Sequence, residues 1–242
     1  MNDWHDASAD TQRRHLTVYL PDTRDVEISR YGRGNLKIGL SVYTYSRPAG
    51  DPRRHEFGTS SGTCPGSSDE CEAICYAKRI TGPVFEVYQR NVGDDVPPIP
   101  LDCRLLRIHV SGDFDTTTYV ENWMARLLER PDVTCWIYTR SWRVPALLPS
   151  LERLRALPNV QVFASMDTSV TDMPPAGWRV AWIDGDPRLL GHLYSAHHQV
   201  IDRDWGGGVS YICPEETGRK RDCEACRYCF DGRRGDVTFL RH

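Results

Sequence analysis

No run of apolar residues in this chain approaches the roughly 20 needed to cross a bilayer, so a membrane-spanning helix is not expected. The opening stretch, MNDWHDASADTQRRH, lacks the apolar segment of a secretion signal. Charge of one sign is scarce too: the formal net charge is −3, and nothing global draws the chain to nucleic acid or an anionic membrane. There is no internal repeat and no long low-complexity linker. Also missing are the P-loop, G-x-S-x-G, H-E-x-x-H and dinucleotide fingerprints, each of which would have announced its own chemistry. These absences predict a cytoplasmic protein with no membrane partner. At 242 residues, 40% hydrophobic and 26% charged, the chain can bury a core as one large domain, alone or with a small appendage.

What the sequence does have is cysteine, nine in all. In a reducing compartment clustered cysteines argue for metal rather than disulfides. Cys103 precedes an apolar run and Cys135 lies inside another; both read as small buried hydrophobes. The other seven form two groups, Cys64, Cys71 and Cys75 near one end and Cys213, Cys223, Cys226 and Cys229 near the other.

In the first group, Ser67 to Glu70 has the S-x-x-E form of a capping box, which predicts a helix starting near Ser68. Cys71 and Cys75 then share a helix face. Cys64 can fold back over the helix start, where backbone N–H groups favour thiolates. Three such thiolates suit three irons of a [4Fe–4S] cube with the fourth iron open. They equally suit zinc, with His55 or a distant residue as fourth ligand.

The second group, C-x2-C-x2-C with Cys213-Pro214 upstream, suits a closed, fully ligated cubane better than a zinc knuckle, which pairs separate C-x2-C units. Its surroundings are basic: Arg219, Lys220, Arg221, Arg227, Arg233 and Arg234, with Tyr228 and Phe230 interleaved. That is the profile of a small metal module touching nucleic acid. Glu215, Glu216, Asp222, Glu224 and Asp231 offset most of the charge.

Between the groups, strand-like apolar runs alternate with helix-like segments. Strands are expected over 36–45, 104–114, 134–142, 160–167 and 178–184, with a sixth near 197–202. Tyr119, Trp123, Leu127 and Leu128 mark one helix; Leu147, Leu151 and Leu154 mark the next. This rhythm predicts an α/β fold with a largely parallel sheet. The expected division is an extension over 1–34, the α/β domain over 35–205, and a cysteine-rich metal-binding segment over 206–242. Ligands bind such sheets at the carboxyl ends of strands. Those ends carry Ser111/Gly112/Asp113, Thr139/Arg140/Ser141, Ser165/Asp167 and Asp184, and read as one shared polar rim. His109 reads as a core histidine. His197 and His198 are consecutive in a strand and cannot easily share a metal. Asp184 with Asp186, Gly32-x-Gly34 and Gly206–Gly208 read as turns.

A three-cysteine group after the first strand of a βα series resembles the radical S-adenosylmethionine superfamily. The resemblance implies a partial (β/α)6 barrel and a cluster on Cys64, Cys71 and Cys75 whose open iron takes the methionine end of the cofactor. Ser111-Gly112-Asp113 would receive the methionine amino group, and Ser165 and Asp167 would contact the ribose. Cys213, Cys223, Cys226 and Cys229 would supply an auxiliary cluster. The superfamily's usual spacing is C-x3-C-x2-C; here it is C-x6-C-x3-C. More closely, TCPGSSDECEAICYA, SGDF, YTRSW and the terminal cysteines are similar to an uncharacterised cysteine-rich family of phages and actinobacteria. The leading expectation is thus an iron–sulfur enzyme using one or two [4Fe–4S] clusters, S-adenosylmethionine and a reductant on an unidentified substrate. Asp113 and Arg140 are its candidate catalytic residues. Two alternatives stand: both groups share one cluster, or a non-enzymatic zinc or iron–sulfur module binds nucleic acid through the C-terminal segment.

Overall fold

The computed structural model of the chain describes residues 30–53, 62–184, 200–202, 209–232 and 235–240. His55, the His197–His198 pair, Asp186, Gly206–Gly208, Arg233, Arg234 and most of the expected extension lie outside these residues.

Nine strands form one sheet among the described residues. They are β1 (Gly32–Arg33), β2 (Tyr43–Tyr45), β3 (Leu105–Ile108), β4 (Thr134–Thr139), β5 (Val160–Met166), β6 (Arg179–Asp184), β7 (Val200–Asp202), β8 (Val209–Ile212) and β9 (Asp236–Leu240). Their order is β1-β2-β3-β4-β5-β6-β9-β8-β7. All neighbouring pairs from β2 to β8 are parallel, and only β1 and β7, at the two edges, run antiparallel to their neighbours. The fold is mixed α/β on a largely parallel sheet. Among the described residues no pairing joins β1 to β7, so the strands make a sheet and not a closed barrel.

Among the described residues five α-helices follow one another: α1 (Asp69–Ile74), α2 (Gly82–Arg90), α3 (Thr117–Glu129), α4 (Leu148–Arg155) and α5 (Cys223–Cys226). The Thr116 hydroxyl caps α3 by accepting from the Tyr119 N–H, and Tyr119, Val120, Trp123 and Leu127 are buried. Leu128, one step round the helix, is exposed. Leu151 and Leu154 of α4 are buried with Leu147 just before it.

Alternation along each strand separates two cores. Leu106, Ile108, Cys135, Ile137, Val162 and Ala164 enter the core under α3 and α4, where Cys103 is also fully buried. Trp136, Phe163, Ala181 and Val237 point to the other face, against Cys213, Tyr228, Cys229 and Phe230. The Trp136 and Phe230 rings lie 4.9 Å apart. The C-terminal segment is therefore built into the fold: β9 pairs with β6, and its side chains cover one face of the sheet.

The first expected strand is shorter than its residues suggest. The Asn35 side chain accepts from the Lys37 and Ile38 N–H groups, and Gly39 takes φ +108°, so the chain turns before β2.

Candidate functional site

The polar ends of β3, β4 and β5 come together beside the first cysteine group. Ser68, the residue preceding α1, accepts from the Cys71 N–H at 3.1 Å and donates to Asp167 at the end of β5. Helix α1 stops at Ile74, and Cys75 leaves it in extended backbone (φ −66°, ψ 103°). Cys71 and Cys75 therefore do not share a helix face.

Two glycines bring the cysteine loop onto the strand ends. A Cβ on Gly66 would stand 2.1 Å from the Arg140 carbonyl oxygen, so only glycine fits where the loop crosses the end of β4. Gly112, at φ +78°, lets the turn after β3 pass against Arg47 and Thr63. Ser111 donates to the Arg47 carbonyl at 2.8 Å, and Thr63 accepts from the Asp113 N–H at 3.2 Å. Ser111 and Gly112 thus bind the chain to itself.

Asp113 does much the same. Its carboxylate accepts from the Thr139 hydroxyl at 2.6 Å, the Arg140 N–H at 2.7 Å and the Phe114 N–H at 2.8 Å. Burial pushes its carboxyl up to about 6, against these hydrogen bonds. It fastens the end of β4 to the end of β3.

Arg140 differs. One terminal nitrogen, Nη1, meets the Asp167 carboxylate at 2.7 Å, with side chains 6% and 0% exposed. The other, Nη2, is buried with no acceptor. Burial raises the Cys71 thiol while the charge of Arg140 pulls it down. Burial drives the Cys64 thiol well above its usual range, helped by the charge of Asp113 and by Cys71 and Cys75. Each of the three cysteines is half-buried as a residue. Ser165, also half-buried, shares a strand face with Phe163 and offers its carbonyl to the Trp142 indole at 3.4 Å.

The second group lies on the sheet face away from α3 and α4. Asp222 caps α5 by accepting from the Ala225 N–H at 2.7 Å, and the Cys213 N–H donates to Thr238 of β9 at 2.8 Å. Burial pushes the Cys223 thiol up to about 11, against the charges of Arg107 and Lys37. It pushes Cys213 and Cys229 up to about 12. Cys213 and Cys229 are buried in one cluster on this face, and Cys223 and Cys226 pack against it. Among the described residues, however, no three His, Cys, Asp or Glu side chains stand in positions that could hold a metal ion. Tyr228 and Phe230 are buried, while Arg219, Lys220, Arg221 and Arg227 are exposed.

Arg47, Thr63 and Arg107 were not singled out by pattern. Arg47 is fully buried on the Asp115 carboxylate and the Asn91 and Gly93 carbonyls. Arg107 carried a signal, a lone charge inside an apolar strand.

A family model described as gene product 88 matches residues 98–232, which run from just before β3 to just past α5. The chain belongs to the gene product 88 family. The match includes Asp113, Arg140, Asp167 and the second cysteine group, while Cys64, Cys71 and Cys75 precede it. The gene 88 protein of Mycobacterium phage L5 is 27% identical over 161 residues, covering 54% of this chain and 66% of that protein. The gene 88 protein of Mycobacterium phage D29 is 23% identical over 220 residues, covering 74% of this chain and 84% of that protein. The chain thus spans slightly under two thirds of the L5 relative. No solved structure matches it. Among the described residues no helix is long and apolar enough to cross a membrane.

Proposed function

We propose that this chain is an iron–sulfur protein of the radical S-adenosylmethionine type, acting on an unidentified substrate through the site at the ends of β3, β4 and β5. The observation that carries the proposal is Arg140. It stands beside Cys71 with a buried guanidinium N–H that nothing accepts, and an anionic group at the thiols would satisfy it.

The donor chemistry fits a cluster. Cys64, Cys71 and Cys75 lie in one another's field, next to a cation and beyond the ends of parallel strands. Because no three of them converge, loading would require side-chain movement, and thiols raised by burial would release protons as they took up metal. Cys213, Cys223, Cys226 and Cys229 are the ligands proposed for a second cluster, with zinc the alternative at either group. Once bound, an open-iron cluster supplies the electron that reductively cleaves S-adenosylmethionine. The chain's own contribution is position: Ser68 and Asp167 hold Arg140 beside the thiols, and Asp113 locks the strand ends together.

Iron, sulfide and zinc analysis of anaerobically purified protein tests the reading. About eight irons per chain supports two clusters and about four supports one, at four irons per cubane. Zinc without sulfide ends it. Adding S-adenosylmethionine and a reductant should release 5′-deoxyadenosine; its absence from fully loaded protein would count against the enzyme.

The exposed cations of the C-terminal segment favour a second reading, a metal module that contacts nucleic acid. With Tyr228 and Phe230 buried, that contact would rest on phosphate and be strongly salt-dependent.

A further inference from the structure

Strand β3 carries a charge where the rest of its residues are apolar. Leu106 and Ile108 enter the core beneath the helices, so Arg107 points to the opposite face. It sits in register with Thr44 on one side and Trp136 on the other. Its guanidinium lies over the Tyr138 ring, 5.0 Å from the centroid.

Two other cations of this face, Lys37 and Arg179, are already engaged. Lys37 meets Glu216 at 2.5 Å and Glu215 at 3.6 Å. Arg179 donates to the Tyr228, Cys229 and Gly235 carbonyls. Arg107 has no carboxylate partner among the described residues, and its Nε is buried with no acceptor. A cationic N–H left unmatched in the interior is costly.

Its place on the face matters as much. Tyr76, which follows Cys75, donates to the Val110 carbonyl just beyond β3 at 3.0 Å, and Leu105, Val110, Tyr138 and Cys223 pack against one cluster on this face. Arg107 therefore lies between the two cysteine groups. Leu105, Tyr138 and Cys223 are only half-buried and Tyr76 is exposed, so solutes can approach.

We propose that Arg107 and the ring of Tyr138 form an oxyanion-binding site, for the carboxylate or phosphate of a small molecule, on the sheet face between the two cysteine groups. The site needs neither group to hold metal, so it stands apart from the function proposed above.

The test uses the full chain, metal-free and after anaerobic loading with iron and sulfide. Inorganic phosphate and succinate are titrated at constant ionic strength while arginine Nε–H resonances are followed. The Arg107 resonance should shift saturably in both preparations, and the anion that saturates it lower names the ligand group. Arg107→Met should weaken binding by roughly tenfold or more, whereas Arg227→Met, an exposed charge nearby, should leave it within about twofold. Should Arg107→Met not fold, the wild-type resonance still decides. An unresponsive resonance up to roughly 20 mM anion, or unchanged binding in Arg107→Met, overturns the proposal. So does a resonance that moves only on loading, which would make Arg107 a counter-charge to the second group. Anion binding in protein that never takes up iron would sink the cluster reading and leave this one standing.

Discussion

Replacing Arg140 with methionine removes a guanidinium and leaves its partner carboxylate in the interior. Asp167 is fully buried and meets Arg140 at 2.7 Å. Without Arg140 it keeps the Ser68 and Ser169 hydroxyls and the Ser169 N–H, but no opposite charge. Removing one partner of a buried pair costs roughly 3–5 kcal/mol. In a chain of this size that lowers Tm by roughly 6–20 °C. Replacing both residues, Arg140→Met with Asp167→Asn, removes both charges and should return to within about 2 kcal/mol of wild type. The pH dependence adds a check. Burial raises the Asp167 carboxyl, but Arg140 with Ser169 and Ser68 more than offsets this, leaving it below its ordinary value. Wild type therefore gains stability from Asp167 above the unfolded carboxyl value and loses it as pH falls through the lower folded one. In Arg140→Met the carboxyl rises, the neutral acid is tolerated, and the deficit should shrink on acidification. Urea denaturation of the three proteins at about pH 7.5 and about pH 5, values that bracket the rise, measures all of this. A single-variant loss below about 1 kcal/mol, or a double variant no better than Arg140→Met, would refute the reasoning.

Three further outcomes are expected. Gly66→Ala drives a methyl into the Arg140 carbonyl; it should cost at least the roughly 1–3 kcal/mol of an overpacked site, read by calorimetry, and on the cluster proposal it should also lower iron uptake. Arg47→Met should cost roughly 3–5 kcal/mol by stranding Asp115 and three carbonyls, and Arg47→Lys should recover only part of it, since an ammonium cannot reproduce the fork. His109, buried with Nε2 3.0 Å from the Tyr119 hydroxyl, has its pKa driven well below normal by burial and by Arg47. It should therefore cost stability as pH falls below its unfolded value near 6.5. Asp113, raised to about 6, acts oppositely, adding stability from about pH 6 down to its unfolded value. His109→Asn, an exchange compatible with φ +63°, should leave the Asp113 contribution alone in a pH-dependent urea series.

The helices and central strands were legible because burial imposes a period on them. Tyr119, Trp123 and Leu127 recur at helical spacing, and all three are buried. The convergence of strand ends was legible for a similar reason, since parallel strands end on one side. What those ends do there was not. Ser111, Gly112 and Asp113 look like ligand contacts in sequence, yet their groups are largely engaged by Arg47, Thr139 and the Arg140 backbone. Spacing says which residues meet, but hydrogen-bond saturation depends on atoms of distant segments. The C-terminal strands escaped notice because Val209–Ile212 and Asp236–Leu240 are short and lie among charges and cysteines. The end of α1 at Ile74 escaped too, since no glycine or proline announces it.

The placement of β9 has a consequence for how the molecule is made. It follows β7 and β8 in the chain yet lies between β6 and β8 in the sheet. A ribosome delivers β7 and β8 before the strand they must dock beside exists. Until Asp236–Leu240 emerges and pairs with β6, Val209–Ile212 can pair with β7 but has no edge of the main sheet to join. The thiols of the second group, carried between β8 and β9, are drawn onto the sheet in that same closing event. Burial of those thiols against the sheet is therefore a late step of folding, completed only after β9 has been made.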